Sequence, residues 1–70
     1  MPAYPLERNF TYHAPTPNEI RMYGELRQEG RELADLILDT CPDSRERSIA
    51  LTKLEEAIFW ANASIAREGR

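Results

Sequence analysis

Asp39-Thr40-Cys41-Pro42-Asp43-Ser44-Arg45-Glu46 is the stretch that decides the fold. Pro42 disfavours helical geometry at the residue before it, so a helix arriving from the N-terminal side stops near Asp39 or Thr40. Directly afterwards Asp43 or Ser44 offers an N-cap oxygen, and Glu46 places a carboxylate in a first turn. A second helix therefore starts within about four residues of the end of the first, and a link that short returns the chain antiparallel, as a hairpin.

Upstream, Thr16-Pro17-Asn18-Glu19 puts a hydroxyl at the N-cap, proline at the first helical position and glutamate at the third. That is a capping box with its favoured proline. Tyr23, Leu26, Leu33, Ala34, Ile37 and Cys41 then recur at the three- and four-residue steps of an amphipathic helix. Downstream, Leu51, Leu54, Ile58, Ala61 and Ile65 form the facing stripe, with Ala50 and Ala57 alongside, and Gly69 marks the exit. The spacing predicts helices over 17–40 and 44–67. Residues 1–17 differ. They hold four of the five prolines and the aromatics Tyr4, Phe10 and Tyr12, which describes a docking arm with one short helical turn around Leu6 to Asn9.

Seventy residues make one domain, 1–70, too small to be comfortable alone. Cys41 is the only cysteine and His13 the only histidine, so an intrachain disulfide and the usual zinc clusters are excluded and no cofactor is expected. Twelve acidic residues against nine basic ones, net −3, argue against DNA or RNA polymers as partners. There is no apolar run near the roughly 20 residues that span a bilayer, and no signal-peptide pattern. The expectation is a soluble, intracellular protein without a membrane partner.

Association is the support left to a chain of this size. At about 100° per residue, Ile49 and Trp60 fall outside the hairpin stripe, beside Lys53, Glu56 and Arg67. A tryptophan on a second face indicates a contact between subunits, with the arm folding back over Trp60 as the other reading. Ala57, Ala61 and Ala63, with Gly24 and Gly30, leave room for close backbone approach.

The residues carry no catalytic set: no Gly-rich phosphate loop, no nucleophile elbow, no paired histidines. Glu55 and Glu56 point about 100° apart, and a single His13 on a proline-rich arm is more often a packing residue. Binding is the better signal. Arg27 has Tyr23 and Arg31 at four-residue spacing and Gly24 and Gly30 at three, with no carboxylate at any of them. Arg21 has Glu25, Lys53 has Glu56 and Arg31 has Asp35. A planar guanidinium without a local acid suits phosphate. On the residues alone, a solvated arginine or an intersubunit ion pair takes precedence. Tyr12 offers a flat face for a base and a hydroxyl for a phosphate, and its plainer role is a hydrophobic plug shared with Phe10.

The run Ser48-Ile49-Ala50-Leu51-Thr52-Lys53-Leu54-Glu55-Glu56-Ala57-Ile58-Phe59-Trp60-Ala61-Asn62-Ala63-Ser64-Ile65-Ala66-Arg67 resembles the C-terminal helix of a family of small phage proteins, as does Phe10-Thr11-Tyr12-His13 followed by a proline. The family is the phage anti-CBASS sponge, second type, and the resemblance covers the chain from about residue 9 to residue 68. It implies an all-α fold, an antiparallel helical hairpin with an N-terminal arm, assembled into a compact homo-oligomer, a hexamer. It also implies non-catalytic sequestration of cyclic di- and trinucleotides, such as cGAMP, in the cytoplasm of the infected bacterial host, against CBASS immunity. By the same resemblance, Tyr12 and Arg27 hold a cyclic dinucleotide between paired protomers, Arg27 standing where the family carries lysine, and Arg67 serves a separate trinucleotide site. His13, Gly24 and Arg31 join the candidates by proximity. The alternative is a structural or regulatory phage oligomer that binds a protein through the Trp60 face.

Overall fold

The computed structural model describes residues 3–68; the exit expected at Gly69 lies outside them. The described chain holds three helices and no strand: α1, Leu6–Phe10; α2, Pro17–Thr40; α3, Arg45–Glu68. Each long helix has 24 residues and so runs about 36 Å.

Both starts are capped by side chains. The Thr16 hydroxyl accepts from the Glu19 N–H at 3.1 Å, and Glu19 Oε1 accepts from the Thr16 N–H at 2.9 Å. Glu19 is 8% exposed, so this reciprocal pair is sheltered from water as well as closed. At the second start the cap is Ser44, not Asp43. Its Oγ accepts from the Arg47 N–H at 3.1 Å and donates to the Pro42 carbonyl at 3.0 Å. Asp43 instead takes the Arg47 guanidinium at 3.1 Å.

Arg47 closes the turn from inside. Its Nη1 donates to the carbonyl of Leu38, in the last turn of α2, and to that of Cys41, its C-cap, at 3.5 and 3.4 Å. A cation there also opposes the negative pole of α2. Arg47→Ala is expected to lower unfolding stability by about 1 kcal/mol, since these contacts are long but only partly wetted. Urea denaturation at fixed protein concentration measures it.

From the turn the helices pack antiparallel. Leu38 and Leu51 share a groove near the turn, Gly30 meets Ile58 midway, and Leu26 and Ile65 share a cleft toward the far end. A Cβ on Gly30 would stand 3.0 Å from Ile58 Cγ1 and Cδ1, so the glycine sets how closely the two helices approach. Leu33 does not belong to this seam, contrary to the stripe read from the sequence. It is 46% exposed, because Gly30, Ala34 and Ile37, all half-buried, face α3 and Leu33 lies at the edge of that line.

No apolar residue among those described is fully buried. Leu36, Leu38 and Ile49 are exposed, as are Phe59 and Trp60 at 66% each. Arg8 of the arm shares a cleft with Trp60, so the arm reaches that face but leaves the ring mostly uncovered. The accessible surface is 5772 Å², whereas a compact monomer of 8.1 kDa exposes about 4,500 Å². The Cα radius of gyration is 15.4 Å against about 11 Å for a compact chain of this length. A slab of 43 × 33 × 16 Å has too little interior for its apolar content.

Candidate functional site

Two clefts lie next to each other along α2, and the candidate residues divide between them. The first, about 340 Å³, sits where the arm meets the open end of the hairpin. Its wall on the arm side is Arg8, Asn9, Thr11, Tyr12, His13 and Pro15; its wall on the hairpin side is Tyr23, Ala66 and Arg67. Tyr12, His13 and Arg67 are thus brought together. Tyr23 was visible in the sequence as a stripe residue one turn before Arg27; its place in this cleft follows from α2 facing the returning end of α3. Arg8 and Asn9 had no signal beyond their nearness to Tyr12.

The cleft pairs two phenol rings with two guanidiniums. Tyr12 is 83% exposed, so its ring is not the hydrophobic plug of the simpler reading. No carboxylate within the described chain pairs with Arg67. Three buried side-chain atoms among the described residues have no hydrogen-bond partner: Asn9 Oδ1 and His13 Nε2 on the arm, and Asn62 Oδ1 on α3. Such atoms are uncommon in folded proteins.

The second cleft, about 520 Å³, is the groove between α2 and α3. Arg27 and Arg31 stand one turn apart on one rim, Glu55 and Phe59 line the other, and Gly30, Ala34, Leu51 and Ile58 lie between. Gly24 lines neither cleft; a Cβ there would meet only the Arg27 guanidinium, at 3.8 Å. That is an ordinary van der Waals distance, so the space beside Gly24 would admit a methyl group.

The electrostatics sharpen the reading of the arginines. Arg21 pairs with Glu25 at 2.6 Å and Lys53 with Glu56 at 3.7 Å, as the spacing predicts. The Arg31–Asp35 pair does not form. Arg27 and Arg31 therefore share a rim with no ion-pair partner among the described residues. Two like charges one turn apart repel modestly, and a dianionic ligand would relieve both. Tyr12 and Arg27 are not brought into one cleft by a single chain: the first faces the arm end, the second the groove.

Among the described residues no cluster of His, Cys, Asp and Glu could hold a metal ion, and no helix is long and apolar enough to cross a membrane. No curated protein and no solved structure matches the chain. The family model described as the Acb2/Tad1 hairpin domain matches residues 2–66, nearly the whole chain and both long helices down to their last turns. This agrees with the resemblance to anti-CBASS sponges drawn from the helix around Trp60, and the chain belongs to the Acb2/Tad1 hairpin family.

Proposed function

We propose that the chain sequesters cyclic oligonucleotide second messengers without converting them, and so antagonises CBASS immunity in the cytoplasm of an infected bacterium. Family membership is consistent with cyclic-oligonucleotide binding. The observation that carries the reading further is the pair Arg27 and Arg31, guanidiniums without carboxylates, one turn along α2 from a cleft lined by Tyr12 and Tyr23. Phosphate takes the fork of an arginine, and a nucleobase takes the face of a tyrosine.

The working unit is a homo-oligomer, a hexamer as the resemblance implies. The surplus of exposed surface over a compact monomer, about 1,300 Å², is more than the roughly 800 Å² per partner that a stable interface covers. In a symmetric pair, each half of a cyclic dinucleotide meets one Tyr12 ring and one Arg27 fork. Stacking contributes about 1–3 kcal/mol per base and each charge-assisted hydrogen bond about 1.5–3 kcal/mol. Several such contacts reach the roughly 12 kcal/mol of nanomolar binding. Gly24 stands beside the Arg27 guanidinium, Arg31 adds a second cation, and His13 and Arg67 act in the arm cleft, where Arg67 faces the trinucleotide. Net charge of −3 keeps RNA and DNA from competing.

The test is titration calorimetry against cyclic di- and trinucleotides, followed by heat release and chromatography of the bound ligand. Tight binding with intact ligand recovered establishes sequestration. Loss of ligand over time would make the protein a nuclease instead. An absence of binding across the panel would leave the exposed Trp60 face and a protein partner as the better account.

A further inference from the structure

The groove between α2 and α3 carries opposite charges that do not meet. Arg27 and Arg31 stand on one rim and Glu55 on the other, over a floor that includes Gly30, Ala34 and Ile58. Among the described residues none of these three charged groups has an ion-pair partner. Elsewhere on the same helices Arg21 closes on Glu25 at 2.6 Å and Lys53 on Glu56 at 3.7 Å. The rims are held apart by the width of the groove, and the floor between them is apolar. A carboxylate only accepts hydrogen bonds and a guanidinium only donates them. A molecule that satisfies both rims therefore has N–H donors at one end, anionic oxygens at the other and an apolar body between. Phe59, one turn along α3 from Glu55 and 66% exposed, adds an aromatic ring to the acidic rim.

We propose that Glu55 makes the groove selective for guanine, accepting from the pairing edge of the base while Arg27 and Arg31 take the phosphate of the same nucleotide. This rests on the sequestration reading and gives its ligand a base: a cyclic oligonucleotide that contains guanine. Among the common bases guanine alone sets two N–H donors side by side, N1–H and the N2 amino group. A carboxylate has two oxygens side by side to receive them. Adenine offers one donor, its N6 amino group, next to the N1 lone pair, which a carboxylate repels. On guanine the ribose leaves from N9, on the far side of the ring from N1 and N2. With the edge at Glu55, the sugar and phosphate are directed across the groove toward the two arginines, and the ring lies over the apolar floor beside Phe59. Glu56, the next residue, does not compete: it is held by Lys53 and stands about 100° around the helix.

Calorimetry of cyclic di-GMP and cyclic di-AMP against the protein, Glu55→Gln and Glu56→Gln tests it, with light scattering on all three. The unaltered protein is expected to hold cyclic di-GMP about tenfold more tightly than cyclic di-AMP, because the discriminating contact is charge-assisted but open to water. Glutamine keeps the shape and presents one acceptor and one donor, the pattern that suits adenine. Glu55→Gln is therefore expected to erase or invert the ranking at unchanged oligomer size, and Glu56→Gln to preserve it. Equal affinities in the unaltered protein, or a ranking that Glu55→Gln does not move, overturn guanine selection while tight binding leaves the sequestration reading standing. An oligomer that dissociates in Glu55→Gln makes the carboxylate a subunit contact and overturns it too. If neither cyclic ligand binds, the sequestration reading falls, and GMP against AMP at millimolar concentration, followed by the NMR signals of the Phe59 ring, decides the groove by itself. Shifts with GMP that AMP does not give and Glu55→Gln abolishes uphold guanine selection; their absence removes it.

Discussion

Tyr12→Ala and Arg27→Ala are each expected to weaken cyclic dinucleotide binding by about 100-fold or more while leaving the helical signal and the oligomer size unchanged. Tyr12 is among the most exposed aromatics of the chain, so its ring contributes little to the fold of one protomer. In the proposed two-fold site its loss would count twice, because two rings would meet two bases. Among the described residues Arg27 has no hydrogen-bond or ion-pair partner, so its removal deletes the proposed charge-assisted contacts without leaving a described carboxylate stranded. Arg27→Lys is the finer probe. It keeps the charge and removes the fork, so affinity should fall less than in the alanine variant while the ranking among cyclic dinucleotides changes. Calorimetry against a fixed panel reads all three variants; unchanged affinity in Tyr12→Ala and Arg27→Ala would remove the site from these residues.

Trp60→Asp is expected to have the largest effect on the protein itself: loss of the oligomer together with most of the helical circular dichroism. The two should fall together because the hairpin has no fully buried apolar residue among those described to hold a lone protomer folded. Burying a large aromatic contributes about 1.5–3 kcal/mol, and a carboxylate placed on that surface costs more again through desolvation. With a domain total of only about 5–15 kcal/mol, one such change per protomer, repeated at every interface, exceeds the margin. Light scattering and circular dichroism over a dilution series measure it, since the midpoint of the proposed oligomer would move with protomer concentration. A Trp60→Asp chain that remained helical and assembled would place the subunit contact on another face.

The fold was legible because its punctuation is local. Thr16 to Glu19 forms its capping box from four consecutive residues, and Pro42 with Ser44 stops one helix and starts the next within one turn of chain. Nothing distant can easily override such signals. Leu33 was misplaced for the opposite reason: whether a residue at the edge of a stripe is covered depends on the partner helix, and Gly30 lets Ile58 approach on the other side. The site was legible in its parts and not in its arrangement. Arg27 stands out in the sequence because its helical neighbours include no acid. That Arg31 also goes unpaired depends on the rotamer Asp35 takes, which spacing does not decide. The distance between Tyr12 and Arg27 could not be read at all, since the path of the arm is set by contacts the chain makes far from it in sequence.

The way Ser44 and Arg47 close the turn also sets the order in which the molecule forms. Residues that meet next to the turn, such as Leu38 and Leu51, are close in the chain, while Leu26 and Ile65 at the open end are far apart. Contacts between near neighbours form fastest, so the hairpin zips outward from Pro42, and helical topologies of this kind complete in microseconds to milliseconds. The arm cleft, with Tyr12, Tyr23 and Arg67, is therefore the last part to close. A site built there, as proposed, is completed only after the two long helices have paired along their length.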